Sequence, residues 1–292
     1  MKLFKFIEKY IRKKRNKFFK ELFSFNFWKK IHLEAMSDDI LYATKQLKDH
    51  KLTFIPKEWI GRSIYTKGHY KKDIFEKIIL LLKKHKLINN KKDVVELGSN
   101  IGTHTIYMHL SNCFEHIYCV EADPKNIKLL NTNLAQNNFI ENSTVISKAI
   151  HDFDGNTKLF RSPNEFNLGA QSLLDIGKFH KSIDIECNTL NSILINNKID
   201  KHKIGFFWID LEGIEFNIIK QINLVIDNSI PILTEFSPII YGKKKTNEFK
   251  RYIEKKYSYC YLIRSHEEKF IKFCDNERLE LNFDQADLLL FN

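Results

Sequence analysis

The 292-residue sequence predicts an α/β fold, a mostly parallel sheet covered by helices on both faces and preceded by a basic helical extension. Three observations predict it. From residue 93 onward, short apolar runs alternate with stretches of helical periodicity, the pattern of parallel strands buried between helices. The first run leads into a glycine-bearing bend, Glu96 to Gly102. The second ends in an acid, Glu121, 23 residues after Gly98.

The extension comes first. Leu3, Phe6, Ile7, Tyr10 and Ile11, then Phe18, Leu22 and Phe25, recur at helical spacing with Lys and Arg between them, so residues 2–32 read as one or two amphipathic helices. Residues 1–30 hold eleven Lys or Arg against Glu8 and Glu21, a local balance of +9 out of a total of +11. The rest of the chain is therefore nearly neutral, which argues against a nucleic-acid-binding body and leaves basicity a property of the tail. That tail suits peripheral contact of residues 1–30 with an anionic membrane surface or an acidic partner; the structural alternative is a basic helix packing its Phe face on the protein.

Ser37, Asp38 and Asp39 suggest the cap of a helix ending near Lys51, and Pro56 marks a break. Residues 72–87 form a strong helix candidate with Ile74, Ile78, Leu81 and Leu82 inward. The extension is accordingly assigned to residues 1–66 and the main domain to 67–292.

Within that domain, strands are expected at 93–97, 116–121, 144–149, 157–161, 183–187, 205–210, 231–236, 259–264 and 286–291. Helices are expected near 102–111, 124–137, 214–222 and 245–255. The last two strands lack an intervening helix and suit an antiparallel terminal pair. The apolar fraction, 43%, suffices for a sizeable core. Five cysteines without a C-x-x-C pair describe neither a zinc site nor a disulfide framework, so a reducing cytoplasm is expected. No run approaches the roughly 20 apolar residues of a membrane span, and charge interrupts the first residues too often for a signal peptide.

The chemistry concentrates in two places. Gly98 permits a tight bend with no side chain between backbone and ligand, and Gly102 a close approach at the helix start. Free N–H groups in that bend can receive the carboxylate of an amino-acid-like ligand. A carboxylate at the tip of the second strand is where ribose hydroxyls are held, and Glu121 stands there. The structural alternatives are an ordinary strand-to-helix turn and a solvated acid; it is the pairing that points to a nucleoside ligand. A dinucleotide would require G-x-G-x-x-G, whereas this run is Glu96-Leu97-Gly98-Ser99-Asn100-Ile101-Gly102. The missing middle glycine, and an acid suited to an ammonium group rather than a diphosphate, favour S-adenosylmethionine.

These segments resemble the FkbM-type methyltransferase family. The matching runs are VVELGSNIGTHT (94–105), YCVEADP (118–124), LLNTNLAQNN (129–138), SKAIHDFDG (147–155), TLNSIL (189–194) and above all IDLEGIE (209–215). The resemblance covers roughly residues 90–240 and implies a Rossmann-like class I methyltransferase domain. It implies cofactor contacts at Glu96, Gly98, Ser99, Asn100, Gly102, Glu121, Ala122, Ala149 and Asp210. Glu121 would hold the ribose, the segment around Ala149 would lie along the adenine, and Asp210 would face the methyl group. Two positions depart from the family: Glu96 replaces a usual Asp, and Trp208 replaces a Lys common two residues before Asp210, so substrate choice is expected to differ.

Methyl transfer to an alcohol needs an acceptor for its proton. Asp210 and Glu212 are the catalytic candidates; Glu215, His104 and His151 are weaker ones, and Glu235 is expected to line the acceptor pocket. Glu215 has a structural alternative as an acid in a helix's first turn. No metal-ligating set is assigned. The family's association with glycan and natural-product tailoring implies O-methylation of a sugar hydroxyl or related small molecule. The competing readings are an RNA methyltransferase, disfavoured by IDLEGIE standing where an Asn-Pro-Pro-Tyr-like motif would be expected, and a non-catalytic binding module docked through the basic helices.

Overall fold

The computed structural model describes residues 12–17, 25–88, 92–161, 171–173, 181–226, 230–264 and 267–292. It divides into two units, 1–70 and 71–292. Expectations for residues 2–11 and 18–24 lie outside the described residues.

In the first unit, α1 (12–17) is helical with all six side chains exposed. α2 (Phe25–Glu34) follows, then an antiparallel hairpin of β1 (Ala43–Gln46) and β2 (Lys51–Phe54), and α3 (Trp59–Lys67). The hairpin corrects the helix expected to end near Lys51. Exposure alternates with period two along β1, Leu52 and Phe54 are buried, and Thr44 and Thr53 pair across the strands through their hydroxyls at 2.7 Å. That pattern stabilises a ladder and no helix face. Asp38 and Asp39 form a turn instead of a cap.

In the second unit, α4 (Lys72–Lys84) lies where the periodicity placed it, burying Phe75 and Ile79 besides Ile78, Leu81 and Leu82, while Ile74 is half-buried. Then come β3 (Lys92–Leu97), α5 (Thr103–Ser111), β4 (Phe114–Glu121), α6 (Pro124–Gln136), β5 (Ser143–Ser147), β6 (Ala149–Ile150), β7 (Gly155–Arg161) and β8 (Lys181–Asn188). The chain continues through α7 (Leu190–Asn196), β9 (Ile204–Ile209), α8 (Glu215–Val225), β10 (Ile232–Phe236), α9 (Pro238–Lys256), β11 (Tyr259–Arg264), β12 (Glu267–Lys272) and β13 (Ala286–Phe291).

Eight strands form the main sheet in the order β12-β11-β13-β10-β9-β3-β4-β5. β10, β9, β3, β4 and β5 run parallel; β13, β11 and β12 are antiparallel to their neighbours. β11 and β13 thus pair as the sequence suggested. β12 was missed because its side chains, Glu-Glu-Lys-Phe-Ile-Lys, are mostly exposed on an edge strand, where charge replaces the apolar signal. The single run expected at 144–149 is split: β5 joins the main sheet, and after Lys148 the chain enters a second sheet, β6-β8-β7.

Strand order reverses between β3 and β9, and such a switch point opens a crevice beyond the strands' carboxyl ends. All six residues of β9 are buried. Phe207 and Ile209 join a core with Ile218, Ile222 and Leu190, and Trp208 packs against Phe75 and His104, with ring centroids 5.9 and 4.6 Å apart. A strand buried on both faces cannot shift its register without exposing one set of these side chains, so its tip is held firmly.

Candidate active site

The bend after β3 is built from three left-handed residues: Gly98 (φ +87°), Asn100 (φ +52°) and Gly102 (φ +81°). Gly98 is required twice over. Its φ disfavours any other residue, and a Cβ there would lie 1.9 Å from the Asp210 carbonyl oxygen. The loop after β9 therefore sits directly on the bend, fixed by the Asp210 N–H donating to the Leu97 carbonyl at 2.9 Å. At Gly102 a Cβ would meet Leu130 Cδ1 at 2.5 Å, so this glycine brings α5 against α6. Asn133, buried on α6, donates to the Ile101 carbonyl at 2.8 Å and pins the bend from outside.

Glu121 ends β4 beside this bend. Its Oε2 accepts the Asn100 N–H at 2.7 Å, and its Oε1 accepts the N–H groups of Ala122 and Asp123 at 3.0 and 2.8 Å. Burial raises its pKa, opposed by the Asp123 and Asn100 N–H groups that favour the charged form. Asp123, 0% exposed, caps α6 through the Lys125 N–H and receives Arg161 Nε and Nη2 at 2.9 and 2.6 Å.

Bend and acid face one cleft, partly open to solvent. Of the sequence candidates, Gly98, Asn100, Glu121, Ala122, Ala149, Asp210 and Glu212 line it. Glu96, Ser99 and Gly102 do not: they lie behind the bend. The electrostatic role expected of Glu96 is accordingly corrected. Its side chain is 1% exposed and accepts the Thr105 hydroxyl at 2.5 Å; burial pushes its pKa up to about 8, so it is largely uncharged at neutral pH. The free N–H groups expected in the bend are also absent. Those of Gly98 and Ser99 go to the Val120 carbonyl, Asn100's to Glu121, Ile101's to Asn100 Oδ1, and Gly102's to the Ser99 carbonyl.

The turn 210–214 carries the acids. Glu212 is left-handed (φ +52°). Glu215 is buried and fully employed: Oε1 accepts the Leu211 and Gly213 N–H groups at 3.2 and 3.0 Å, and Oε2 accepts the Tyr241 hydroxyl at 2.6 Å. It is a clamp on the turn rather than a base. Asp210, Glu212 and Glu235 present carboxylate oxygens within 4.8 Å of one another, a spacing at which acids can hold a hard cation. Lys71 Nζ lies 3.0 Å from Glu235 Oε1, and Asp287 is the register partner of Glu235 on β13. Burial, then the neighbouring Glu235, raises Asp210 well above the usual carboxylate range, and the same two causes bring Glu212 to about 8; Lys71 opposes both.

His104 is half-buried and held neutral, burial lowering its pKa to about 3, and its ring packs at a tilt against Trp208 instead of lining the cleft. His151 packs on Phe153 and Asp152, also away from the lining. Trp208 is core, so the family's usual lysine position opens into packing in this chain. Sequence reasoning missed Lys71, Arg161, Gln171 and Leu173. None sits in a motif, and each reaches the site from an element remote in sequence.

A doubly wound sheet whose switch point carries a glycine bend, an acid at the tip of the neighbouring strand and a strand-end aspartate defines a Rossmann-like class I methyltransferase domain. A family model described as the methyltransferase FkbM domain matches residues 96–263, more than half of the sequence, and the chain belongs to that family. No curated protein matches it. Among solved structures it is similar to precorrin 8w decarboxylase from Methanobacterium thermoautotrophicum, with 11% identity over 75% of this chain and 89% of that one (TM-score 0.41). It is also similar to M. jannaschii TYW2 in complex with AdoMet, with 11% identity over 86% and 84% (TM-score 0.41). A third is precorrin-6y C5,15-methyltransferase from Geobacter metallireducens GS-15, with 9% identity over 70% and 82% (TM-score 0.36). The fold assignment rests on strand order and not on these distant likenesses.

Proposed function

We propose that the protein transfers a methyl group from S-adenosylmethionine to a hydroxyl oxygen of a sugar, glycan or related small molecule. The observation that carries this reading is that the Gly98 bend and the Glu121 carboxylate face the same cleft, with Asp210 and Glu212 at one side of it. The cleft fits an adenosyl amino acid: Glu121 offers acceptor oxygens for ribose hydroxyls, Ala122, Ala149 and Ile150 leave apolar space for a flat base, and Gly98 keeps the floor bare.

S-adenosylmethionine, when bound, supplies an already activated methyl on its sulfonium. The protein's part is to position the acceptor and take its proton. Positioning alone can supply several kcal/mol. Asp210, raised in pKa by burial and Glu235, is a stronger base once ionised than an exposed aspartate. Lys71 favours that ionised form through its charge. Glu212 shares the turn and is the alternative proton acceptor. The near-neutral body disfavours nucleic acid as substrate.

The basic segment 1–30 is the proposed contact with an anionic membrane surface, at the cytoplasmic face; among the described residues no helix is long and apolar enough to cross a membrane. The test of function is incubation of protein with deuteromethyl-labelled S-adenosylmethionine and candidate glycans, read by mass spectrometry. A labelled methyl on a sugar oxygen that disappears with Asp210→Asn, while circular dichroism stays native, supports the reading. Undiminished transfer by that variant rejects Asp210 as the base, and label on nitrogen or carbon rejects O-methylation.

A further inference from the structure

The bend donates all five of its N–H groups, residues 98 to 102, within the protein. A carboxylate bound in the cleft must therefore find a donor elsewhere. Lys148 lines the cleft but pairs with Glu186, and Asn126 directs its amide to Glu121. Among the described lining groups, the side-chain amides of Asn100 and Gln171 can donate as well.

Gln171 is held in place by its neighbour. Ser172, 4% exposed, exchanges both backbone hydrogen bonds with Phe160 (2.9 and 3.1 Å), and its hydroxyl donates to the Glu212 carbonyl at 2.8 Å. Gln171 and Leu173, on either side of Ser172, both line the cleft. Leu173 adds apolar wall. Gln171 Nε2, in contrast, is buried from water and has no hydrogen-bond partner. A desolvated amide donor without an acceptor is costly, and in a native protein it calls for a partner.

We propose that Gln171 is a cofactor-binding residue whose side-chain amide donates to the carboxylate of the bound adenosyl amino acid. The inference rests on the S-adenosylmethionine reading above. Glu121 then reads the ribose by accepting, and Gln171 reads the amino-acid end by donating. Ser172, next to Gln171, is tied to the Glu212 carbonyl, so the cofactor grip and the catalytic turn share one anchor.

Calorimetry with two probes tests it: S-adenosylhomocysteine, which has the carboxylate, and 5′-methylthioadenosine, which lacks it. Gln171→Met should weaken S-adenosylhomocysteine about ten- to a hundredfold, the loss of one hydrogen bond to a charged group, and leave methylthioadenosine unchanged. It should also leave the ligand-free Tm equal or higher, because an unpaired buried donor has been removed; a merely structural glutamine would lower it. Gln171→Glu keeps the volume, sets a carboxylate against a carboxylate, and should show the larger loss. Unchanged S-adenosylhomocysteine affinity in both variants, or equal losses for the two probes, overturns the assignment. Wild-type protein that binds neither probe overturns the cofactor reading itself, which the two variants by themselves cannot do.

Discussion

Replacing Glu96 with Gln tests the electrostatics of the bend. Glu96 sits at a fully buried position of β3, and burial raises its pKa from the ordinary 4.5 to about 8, Thr105 and Ser99 pulling down and Glu121 pushing up. The folded chain thus holds this proton more tightly than the unfolded one. The associated stability is complete below about pH 4.5 and is lost as pH rises through about 8. At about 1.4 kcal/mol per pH unit, the interval from 4.5 to about 8 is worth about 5 kcal/mol, of which about 3 kcal/mol is gone by pH 7. Against a typical domain stability of about 5–15 kcal/mol that is a large share. Glu96→Gln keeps the shape and the acceptor for Thr105 but cannot ionise. Urea denaturation followed by circular dichroism from pH 4.5 to 9 should show the variant gaining on the wild type by about 3 kcal/mol between pH 4.5 and 7. Parallel stability curves for the two proteins would refute the reasoning.

Three further outcomes follow from the same structure. Gly98→Ala, with a methyl 1.9 Å from the Asp210 carbonyl oxygen and φ +87°, should cost about 3 kcal/mol or more, whereas Gly102→Ala meets only a movable Leu130 methyl at 2.5 Å and should cost about 1–2 kcal/mol by thermal denaturation; equal losses would show that the close approach of the two loops is unimportant. Arg161→Met leaves the buried Asp123 carboxylate without its guanidinium and should destabilise by about 3–5 kcal/mol in the same measurement. Lys71→Met removes a cation beside Asp210, Glu212, Glu235 and Asp287, whose charge lowers the pKa of Glu212 (about 8) and Asp287 (about 7). Those two pKa values should rise, so the loss should grow by about 1–3 kcal/mol between pH 5, where Glu212 and Asp287 are protonated, and pH 8; a loss independent of pH would contradict it.

What the sequence determined is whatever is encoded locally. β9 is a continuous apolar run, and β3 and β4 carry apolar stretches at Val94–Val95 and Tyr118–Val120, as strands covered by helices require, so the parallel sheet was readable from hydrophobic order. Gly98 and Glu121 were readable because a left-handed bend demands glycine and a strand tip flanked by apolar residues leaves an acid one place to point. The β1–β2 hairpin, four residues per strand with few apolar side chains, carried too short a signal against Ser-Asp-Asp, and charged β12 carried none. Tertiary structure alone decided how the chemistry-bearing groups are shared out. Burial turned Glu96 into a largely neutral support behind the bend and Glu215 into a clamp. Folding also brought Lys71 to Glu235 across 164 positions of chain, and Gln171 to a cleft whose motifs lie before and after it. Charge state and donor supply depend on which neighbours exclude water, and the fold chooses those neighbours from distant parts of the sequence.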